Sequence, residues 1–110
     1  MVGLDQQIGL AEQLARELPA VSRNEWMRWL QVAERRGLQR AIQHAQRLSQ
    51  DVTVRPAVQQ ANRLIAQAVR RHQAALQGLT EEERRAVLGF VGWWLQVKNV
   101  RDKGDTGERR

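Results

Sequence analysis

Arginine and glutamine recur at helical spacing in two stretches near the middle of the chain. The first stretch carries Arg36, Arg40, Gln43 and Arg47, and the second repeats the pattern with Gln59, Arg63, Gln67 and Arg70. Side chains three and four residues apart share one face of a helix. Arginine makes fork-shaped contacts with phosphate, and glutamine hydrogen-bonds sugar or phosphate without requiring a particular base. The two stretches therefore predict binding to the backbone of RNA or single-stranded DNA, with two solvated helical faces as the alternative.

The positive charge of the chain is concentrated in the same region. The whole chain has 18 Lys+Arg against 12 Asp+Glu, a formal net charge of +6. Ten arginines and only three acids lie between Ala20 and Leu79, and no acid lies between Val52 and Leu79. Such a field attracts polyanions, nucleic acid above all. Charge alone suits a solvated helical surface equally well.

No group of residues has the types and spacing that catalysis or metal binding requires. The chain lacks cysteine, and His44 and His72 are its only histidines, so a tetrahedral zinc site would need carboxylates as well. Ser22 and Ser49 are the only serines, Ser22 is placed to cap a helix, and there is no glycine-rich phosphate loop. We therefore expect a protein that is not an enzyme and has no cofactor, no metal and no small-molecule substrate.

Four tryptophans beside one phenylalanine and no tyrosine are unusual usage. Trp26 and Trp94 fall on apolar stripes and are predicted to lie in the core. Trp29 and Trp93 are predicted to contact a partner, because exposed aromatic side chains anchor protein interfaces. Trp93, Val97 and Val100 are spaced four and three residues apart, beside the inward stripe of the last helix. We expect this second apolar strip to bind another subunit, copies of the chain itself included.

Apolar residues recur every three or four positions, and no alternation of period two persists, so the sequence predicts an all-α chain. We expect a compact helical bundle of four to five helices, one domain over residues 1–101, and a disordered tail over residues 102–110. Pro19 follows a predicted helix over residues 4–18, and Pro56 suits the first turn of another over residues 55–77. Capping boxes are predicted at Ser22 with Glu25 and at Thr80 with Glu83.

Gly37 allows two interpretations of residues 23–49. Ala33 followed four residues later by Gly37 is typical of a DNA-binding helix-turn-helix. In that motif the positions six and nine residues after the glycine should be apolar, and here they are Gln43 and Gln46. The apolar stripe also keeps one phase on both sides of the glycine. We therefore favour one continuous helix over residues 23–49, with a helix-turn-helix as the alternative.

Neither end of the chain predicts a membrane protein. The longest apolar cluster, VLGFVGWWLQV, is far shorter than the span of about 20 residues that a bilayer requires. The first residues lack the basic lead and apolar run of a signal peptide. A chain without cysteine suits a reducing compartment. We expect a cytoplasmic protein with no membrane partner.

The segment RRGLQRAIQHAQRL and the aromatic last helix VLGFVGWWLQVKNV, in a basic all-helical chain of this size, resemble the small subunits of CRISPR effector ribonucleoproteins. The resemblance covers most of the chain as a pattern of helices. It implies a non-catalytic protein of antiviral defence that assembles in several copies and holds crRNA-target duplex or displaced strand by its backbone. That role would fall to Arg36, Arg40, Arg47, Arg63 and Arg70. A protein-interaction or oligomerisation module without nucleic-acid contact is the alternative from another class.

Overall fold

The chain folds into helices joined by short turns. The computed structural model describes the backbone of residues 3–108 and the side chains of residues 3–97. Its helices are α1 (Leu4–Arg16), α2 (Arg23–Arg36), α3 (Leu38–Gln50), α4 (Pro56–Arg71), the short α5 (Gln73–Gln77) and α6 (Glu81–Glu108). No strand occurs in the described part of the chain. The predicted all-α bundle is confirmed.

Capping side chains and one proline begin α2, α4 and α6 close to where the sequence predicts, whereas the helix predicted over residues 55–77 is divided at His72 into α4 and α5. The Ser22 hydroxyl accepts the Glu25 N–H at 3.2 Å and begins α2. Thr80 and Glu83 form a full capping box, in which the Glu83 N–H donates to the Thr80 hydroxyl at 3.1 Å and the Thr80 N–H donates to the Glu83 carboxylate at 2.9 Å. Pro56 is the first residue of α4. These bonds satisfy N–H groups that a helix start leaves without partners.

The chain bends sharply at Gly37, so the continuous helix predicted over residues 23–49 is wrong. Gly37 has φ 90° and ψ 163°, a backbone conformation that is essentially restricted to glycine. The Trp29 indole N–H donates to the Ala41 carbonyl at 2.9 Å, although the two residues are 12 positions apart. In a straight helix they would be separated by about 18 Å along the axis. The chain therefore turns back at Gly37, and α3 packs against α2.

Two tryptophans of α2 hold the helices around it. Trp26 and Trp29 are 0% and 2% exposed, with ring centroids 4.9 Å apart. The Trp26 indole N–H donates to the Leu88 carbonyl of α6 at 2.9 Å. Gly92 leaves room for this contact, since a Cβ there would lie 3.2 Å from the Met27 sulfur and 3.4 Å from Trp26 Cδ1. The prediction that Trp29 faces a partner is wrong, because its ring packs in the core and its N–H is used there.

α3 and α4 form an antiparallel hairpin. At one end, the Gln73 amide just after α4 donates to the Gln39 amide oxygen at the start of α3, at 2.8 Å. At the other end, the Gln59 amide in the first turn of α4 donates to the Asp51 carbonyl just after α3, at 2.6 Å. The hydroxyl and N–H of Thr53 bond the Asp51 carboxylate, and these hydrogen bonds lower the pKa of Asp51. Hydrogen bonds therefore join the two helices at both ends of the hairpin, and the bonds to Asp51 also hold the turn.

The remaining helices close one core around this hairpin. Glu17, just after α1, bonds both Arg71 and His72 at the junction of α4 and α5. Among the large side chains that are completely buried are Leu14, Leu18, Ile65, Leu76, Val87, Val91 and Leu95, from α1, α4, α5, α6 and the turn after α1. Asn62 is also buried, and its amide donates to the Val58 carbonyl at 2.8 Å. Burial of these apolar faces is the main force that holds the helices together.

α6 reaches the segment that the sequence predicts to be a disordered tail. Helical backbone is described as far as Glu108, whereas the side chains from residue 98 onward and residues 109–110 lie outside the described part. The tail over residues 102–110 therefore stays a prediction. No helix among the described residues combines the length and the apolar character that crossing a membrane requires.

Candidate nucleic-acid interface

Most of the predicted arginines and glutamines lie on the exposed sides of the α3–α4 hairpin. Arg40, Gln43 and Arg47, here called the α3 row, are exposed, as are Arg63, Gln67 and Arg70, the α4 row. The apolar stripes that face the core alternate with them in sequence, and they include Ala41, Ile42, Ala45, Ala61, Ile65 and Ala68. The 3.6-residue period thus separates a buried face from a polar face on each helix.

The two rows border one open groove between α3 and α4. A recess of about 330 Å³ is lined by Gln46, Ser49 and Gln50 from α3 and by Arg63, Ala66, Gln67 and Arg70 from α4. A second recess of about 550 Å³ is lined by Gln43, Gln46, Arg47, Ser49 and Gln50. Because the two recesses share three residues, they form a single trough, which we call the α3–α4 groove. Arg47 stands on one side of it, and Arg63 and Arg70 stand on the other.

The spacing of the rows matches the spacing of phosphates along a strand. Arg40 and Arg47 are seven residues apart on α3, as are Arg63 and Arg70 on α4, which corresponds to roughly 10 Å of helix axis. Packed helix axes lie about 8–10 Å apart. The four arginines therefore start from the corners of a rectangle with sides of roughly 10 Å. A strand in a duplex carries one phosphate per about 3.4 Å of axis, so each side of the rectangle spans about three phosphates.

The charge of the two rows is not neutralised by neighbouring acids. Within the described residues, no ion pair involves the arginines of either row or Arg36. The carboxylates pair elsewhere: Glu12 with Arg16 at 3.9 Å, Glu25 with Arg28 at 3.7 Å, Glu81 with Arg85 at 3.7 Å, and Glu17 with Arg71 and His72. Arg63 has a neutral neighbour, the Gln60 amide oxygen at 3.5 Å. The groove therefore presents positive charge that is free to meet an anion.

Three of the predicted contact residues, Arg36, Arg40 and Gln59, lie outside the groove. Arg40 is exposed on α3 but lines neither recess. Gln59 is half-buried, and its amide donates to the Asp51 carbonyl, so it stabilises the hairpin turn instead of extending the α4 row. Arg36 is the last residue of α2 and is exposed at the corner formed by Gly37. Its position at the end of α2 puts it beside the α3 row without lining the groove.

The pKa of His44 is lowered by its burial and by two of these arginines. This histidine is half-buried on α3, and burial lowers the pKa of its imidazole first, followed by the charges of Arg47 and Arg36. Both influences disfavour the protonated ring. The arginine at the end of α2 and the last arginine of the α3 row therefore act on the same point of the surface, and His44 is neutral at pH 7.

Four residues that line the groove were not identified from the sequence. Gln46, Ser49 and Gln50 come from the flank of the apolar stripe of α3, and Ala66 comes from α4. The Ser49 hydroxyl donates to the Gln46 carbonyl at 2.6 Å. A sequence signal was present, since Gln46 and Gln50 follow Gln43 by three and seven residues. Their role depends on α4 lying beside that flank, which helix periodicity alone does not specify.

A second groove lies between α1 and α6 and is mainly apolar. It measures about 630 Å³ and is lined by Ile8, Arg85, Ala86, Gly89, Phe90, Trp93 and Trp94. Trp93 is 55% exposed and Val97 is half-buried, whereas the side chain of Val100 lies outside the described part. A partner for Trp93 and Val97 stays a prediction.

The described residues offer few features from which other chemistry could be built. Among residues with described side chains, no three His, Asp or Glu converge on a point where a metal ion could bind. Compared with protein families, with curated proteins and with solved structures, the chain matches none.

Proposed function

We propose that this chain is a non-catalytic helical subunit that binds the backbone of RNA or single-stranded DNA in the α3–α4 groove without reading base sequence. The observation that supports this most directly is the pair of exposed rows, with three of their four arginines lining one open groove and no acid paired to them among the described residues. The resemblance to small subunits of CRISPR effector complexes extends the proposal to a cytoplasmic role in antiviral defence, with crRNA or a displaced strand as the ligand.

The side chains of the groove favour backbone contacts over base recognition. Neither α3 nor α4 contains tryptophan, tyrosine or phenylalanine, so the groove has none of these rings on which a base could stack. It offers guanidinium groups, amides and one hydroxyl, which bond phosphate and sugar oxygens. A strand held this way keeps its bases pointing away from the protein. We therefore expect similar affinity for strands of different sequence.

A sequence-specific helix-turn-helix protein is the second candidate, and the bend at Gly37 is the observation that favours it. Because α2 and α3 are separate helices, the exposed side of α3 could present Arg40, Gln43 and Arg47 to base edges in a major groove. Two features count against it. The connection is a single residue, whereas the motif has a turn of three to four residues, and α3 lies along α4 as one side of a groove.

The salt dependence of binding tests the proposed function. For single strands, the logarithm of the binding constant falls with the logarithm of salt concentration at a slope of about −0.7 per neutralised phosphate. Four engaged arginines predict a slope of about −3. Filter binding with several unrelated sequences across a salt series would measure it. Absence of binding at low salt would contradict the proposal, and strong preference for one sequence would favour the helix-turn-helix.

A pair of double variants separates groove binding from general charge attraction. Arg47→Ala with Arg63→Ala removes two charges from the groove, whereas Arg16→Ala with Arg28→Ala removes two charges from α1 and α2. We expect the first variant to lose on the order of tenfold affinity or more for every sequence, and to flatten the salt slope by about 1 to 2. The second should bind almost as the wild type does. Equal losses would mean that the net charge, and not the groove, binds the strand.

A further inference from the structure

The α1–α6 groove is an exposed and mainly apolar surface. Three large hydrophobic residues are exposed among the described side chains. Trp93 is 55% exposed at the groove and Leu4 is 62% exposed on α1, whereas Val52 lies apart from them in the α3–α4 turn. Leu4 precedes the groove residue Ile8 by one helical turn and so extends the apolar surface along α1. The Trp93 ring meets Trp94 edge-on, with centroids 5.1 Å apart. Contiguous apolar area of this kind marks an interaction site.

We propose that this groove binds the same face of a second copy of the chain, with α6 against α6 about a two-fold axis near Gly89. The reason is that one face of α6 carries a glycine, where two helices can approach closely, and a protruding aromatic ring one turn later. Ala86, Gly89 and Trp93 follow each other at three and four residues, so they share that face. Trp93 protrudes, whereas a Cβ on Gly89 would meet nothing within 4 Å. A two-fold axis at Gly89 sets the two glycines against each other, so the two helices can approach closely while each Trp93 lies along the helix of the other copy.

The attraction between a guanidinium group and an indole ring supports the same arrangement. If two α6 helices cross in opposite directions at Gly89, residues four before and four after the glycine come opposite each other. Arg85 of each copy then lies over Trp93 of the other. Arg85 and Trp93 both line the groove, and the Arg85 side chain is 68% exposed while it pairs with Glu81. A guanidinium is attracted to the face of an indole ring, so the contact is favourable twice in one dimer.

The contact between copies leaves the α3–α4 groove open, because it uses a different pair of helices. Dimerisation and nucleic-acid binding are therefore independent, and either proposal can fail without the other. An unrelated protein is the other possible occupant of the α1–α6 groove. The oligomeric state of the full chain, free of nucleic acid, distinguishes the two occupants.

Sedimentation velocity over a concentration series tests the second copy as the occupant. We expect a monomer–dimer equilibrium in the wild type. Gly89→Leu should raise the dimer dissociation constant by about tenfold or more, since it places a bulky side chain where the two helices cross. The same substitution should not harm the monomer, because the space around Gly89 is open and leucine is a better helix former than glycine. Circular dichroism and the thermal midpoint would confirm that the variant is folded.

Gly9→Leu is the matched control. Gly9 is also an exposed helical glycine with nothing within 4 Å of an added Cβ, but it does not line the groove. It should dimerise as the wild type does. Arg85→Ala, which removes only the guanidinium from the rim, should weaken the dimer severalfold. A wild type that is monomeric at every concentration would exclude the second copy, and a Gly89→Leu variant that dimerises normally would show that another surface mediates the contact.

Discussion

The α3–α4 groove and the α1–α6 groove are built alike and present opposite chemistry. Each lies between two packed helices whose apolar stripes face the core. In the α3–α4 groove, the residues that flank the stripes are arginine, glutamine and serine. In the α1–α6 groove, they are mainly aromatic, aliphatic or very small. The packing of a helix pair therefore does not decide what it binds. What the pair binds is decided by the one or two residues on either side of the buried stripe of each helix.

The two grooves also depend on different parts of the core. The position of α3 is set by the bend at Gly37 and by the bond from the Trp29 indole to the Ala41 carbonyl. The position of α6 is set by the bond from the Trp26 indole to the Leu88 carbonyl and by the close approach at Gly92. Substitutions in the core, at the bend and in the grooves should consequently have effects of very different size.

The largest expected difference is between two tryptophans that the sequence alone treats alike. Trp29→Ala removes a completely packed ring and leaves the Ala41 carbonyl without its indole partner, so we expect a loss of about 3–5 kcal/mol in the free energy of unfolding. Trp93→Ala removes an exposed ring and should cost about 1 kcal/mol, mainly through its edge contact with Trp94. Urea denaturation of both variants would measure this.

A conservative variant separates the two contributions at Trp29. Trp29→Phe keeps an aromatic ring but has no N–H, so it should lose about 1–3 kcal/mol from the missing hydrogen bond and the smaller ring. Equal losses for Trp29→Ala and Trp93→Ala would mean that Trp93 is as much a core residue as Trp29. The contrast between the α1–α6 groove and the core would then be lost.

An intermediate effect is expected from two glycines with opposite roles. Gly37 has a positive φ that other residues rarely adopt, so Gly37→Ala should lower the free energy of unfolding by about 1–3 kcal/mol. Gly89 lies inside α6 in open space, so Gly89→Ala should raise it by up to about 1 kcal/mol. Thermal and urea unfolding give both values. A Gly37→Ala variant of unchanged stability would indicate that α2 and α3 can join as one helix.

The smallest expected effect concerns pH and the α3–α4 groove. The pKa of His44 in the folded chain is lowered by burial and by Arg47 and Arg36. The unfolded chain therefore takes up a proton more readily, near the ordinary histidine pKa of about 6.5. The contribution of His44 to stability is complete above that pH, decreases as the pH falls through it, and levels off below the lowered pKa.

Binding should shift this equilibrium in the opposite direction. Phosphates beside Arg36 and Arg47 offset the charges that keep the imidazole neutral, so bound His44 takes up a proton more readily. We expect nucleic-acid affinity to rise as the pH falls from 7.5 to 6, because protonation of His44 is then coupled to binding. Fluorescence anisotropy at fixed ionic strength would measure the rise. His44→Gln should abolish it, and a rise that persists in this variant would assign the proton to another group.

The sequence predicts the starts of α2, α4 and α6 well because their signals are local. Ser22 and Thr80 cap the residues three positions later, and Pro56 occupies the first turn of α4, without any contribution from distant residues. The bend at Gly37 was missed for a physical reason. An apolar stripe reports which residues face the core, and it keeps the same phase whether a helix continues straight or turns back.

The candidate site was only partly predictable for the same reason. The spacing of Arg40, Arg47, Arg63 and Arg70 shows that each pair shares a helix face. It does not show that α3 and α4 are antiparallel neighbours, which places Arg47, Arg63 and Arg70 on one groove. Gln59 fitted the spacing of the α4 row, yet its partner is a carbonyl eight residues away that only the turn brings near. Trp29 likewise gains the Ala41 carbonyl only after the chain turns back.

The hairpin formed by α3 and α4 also has a consequence for the order of folding. Its helices are joined by a five-residue turn, so their contacts close short loops, whereas contacts between Ile8 of α1 and Phe90 of α6 close a loop of most of the chain. Long loops cost more conformational entropy to close, and contacts between distant residues form slowly. We expect amide hydrogens of α3 and α4 to be protected from exchange early in refolding, and those of α1 to exchange first from the native state.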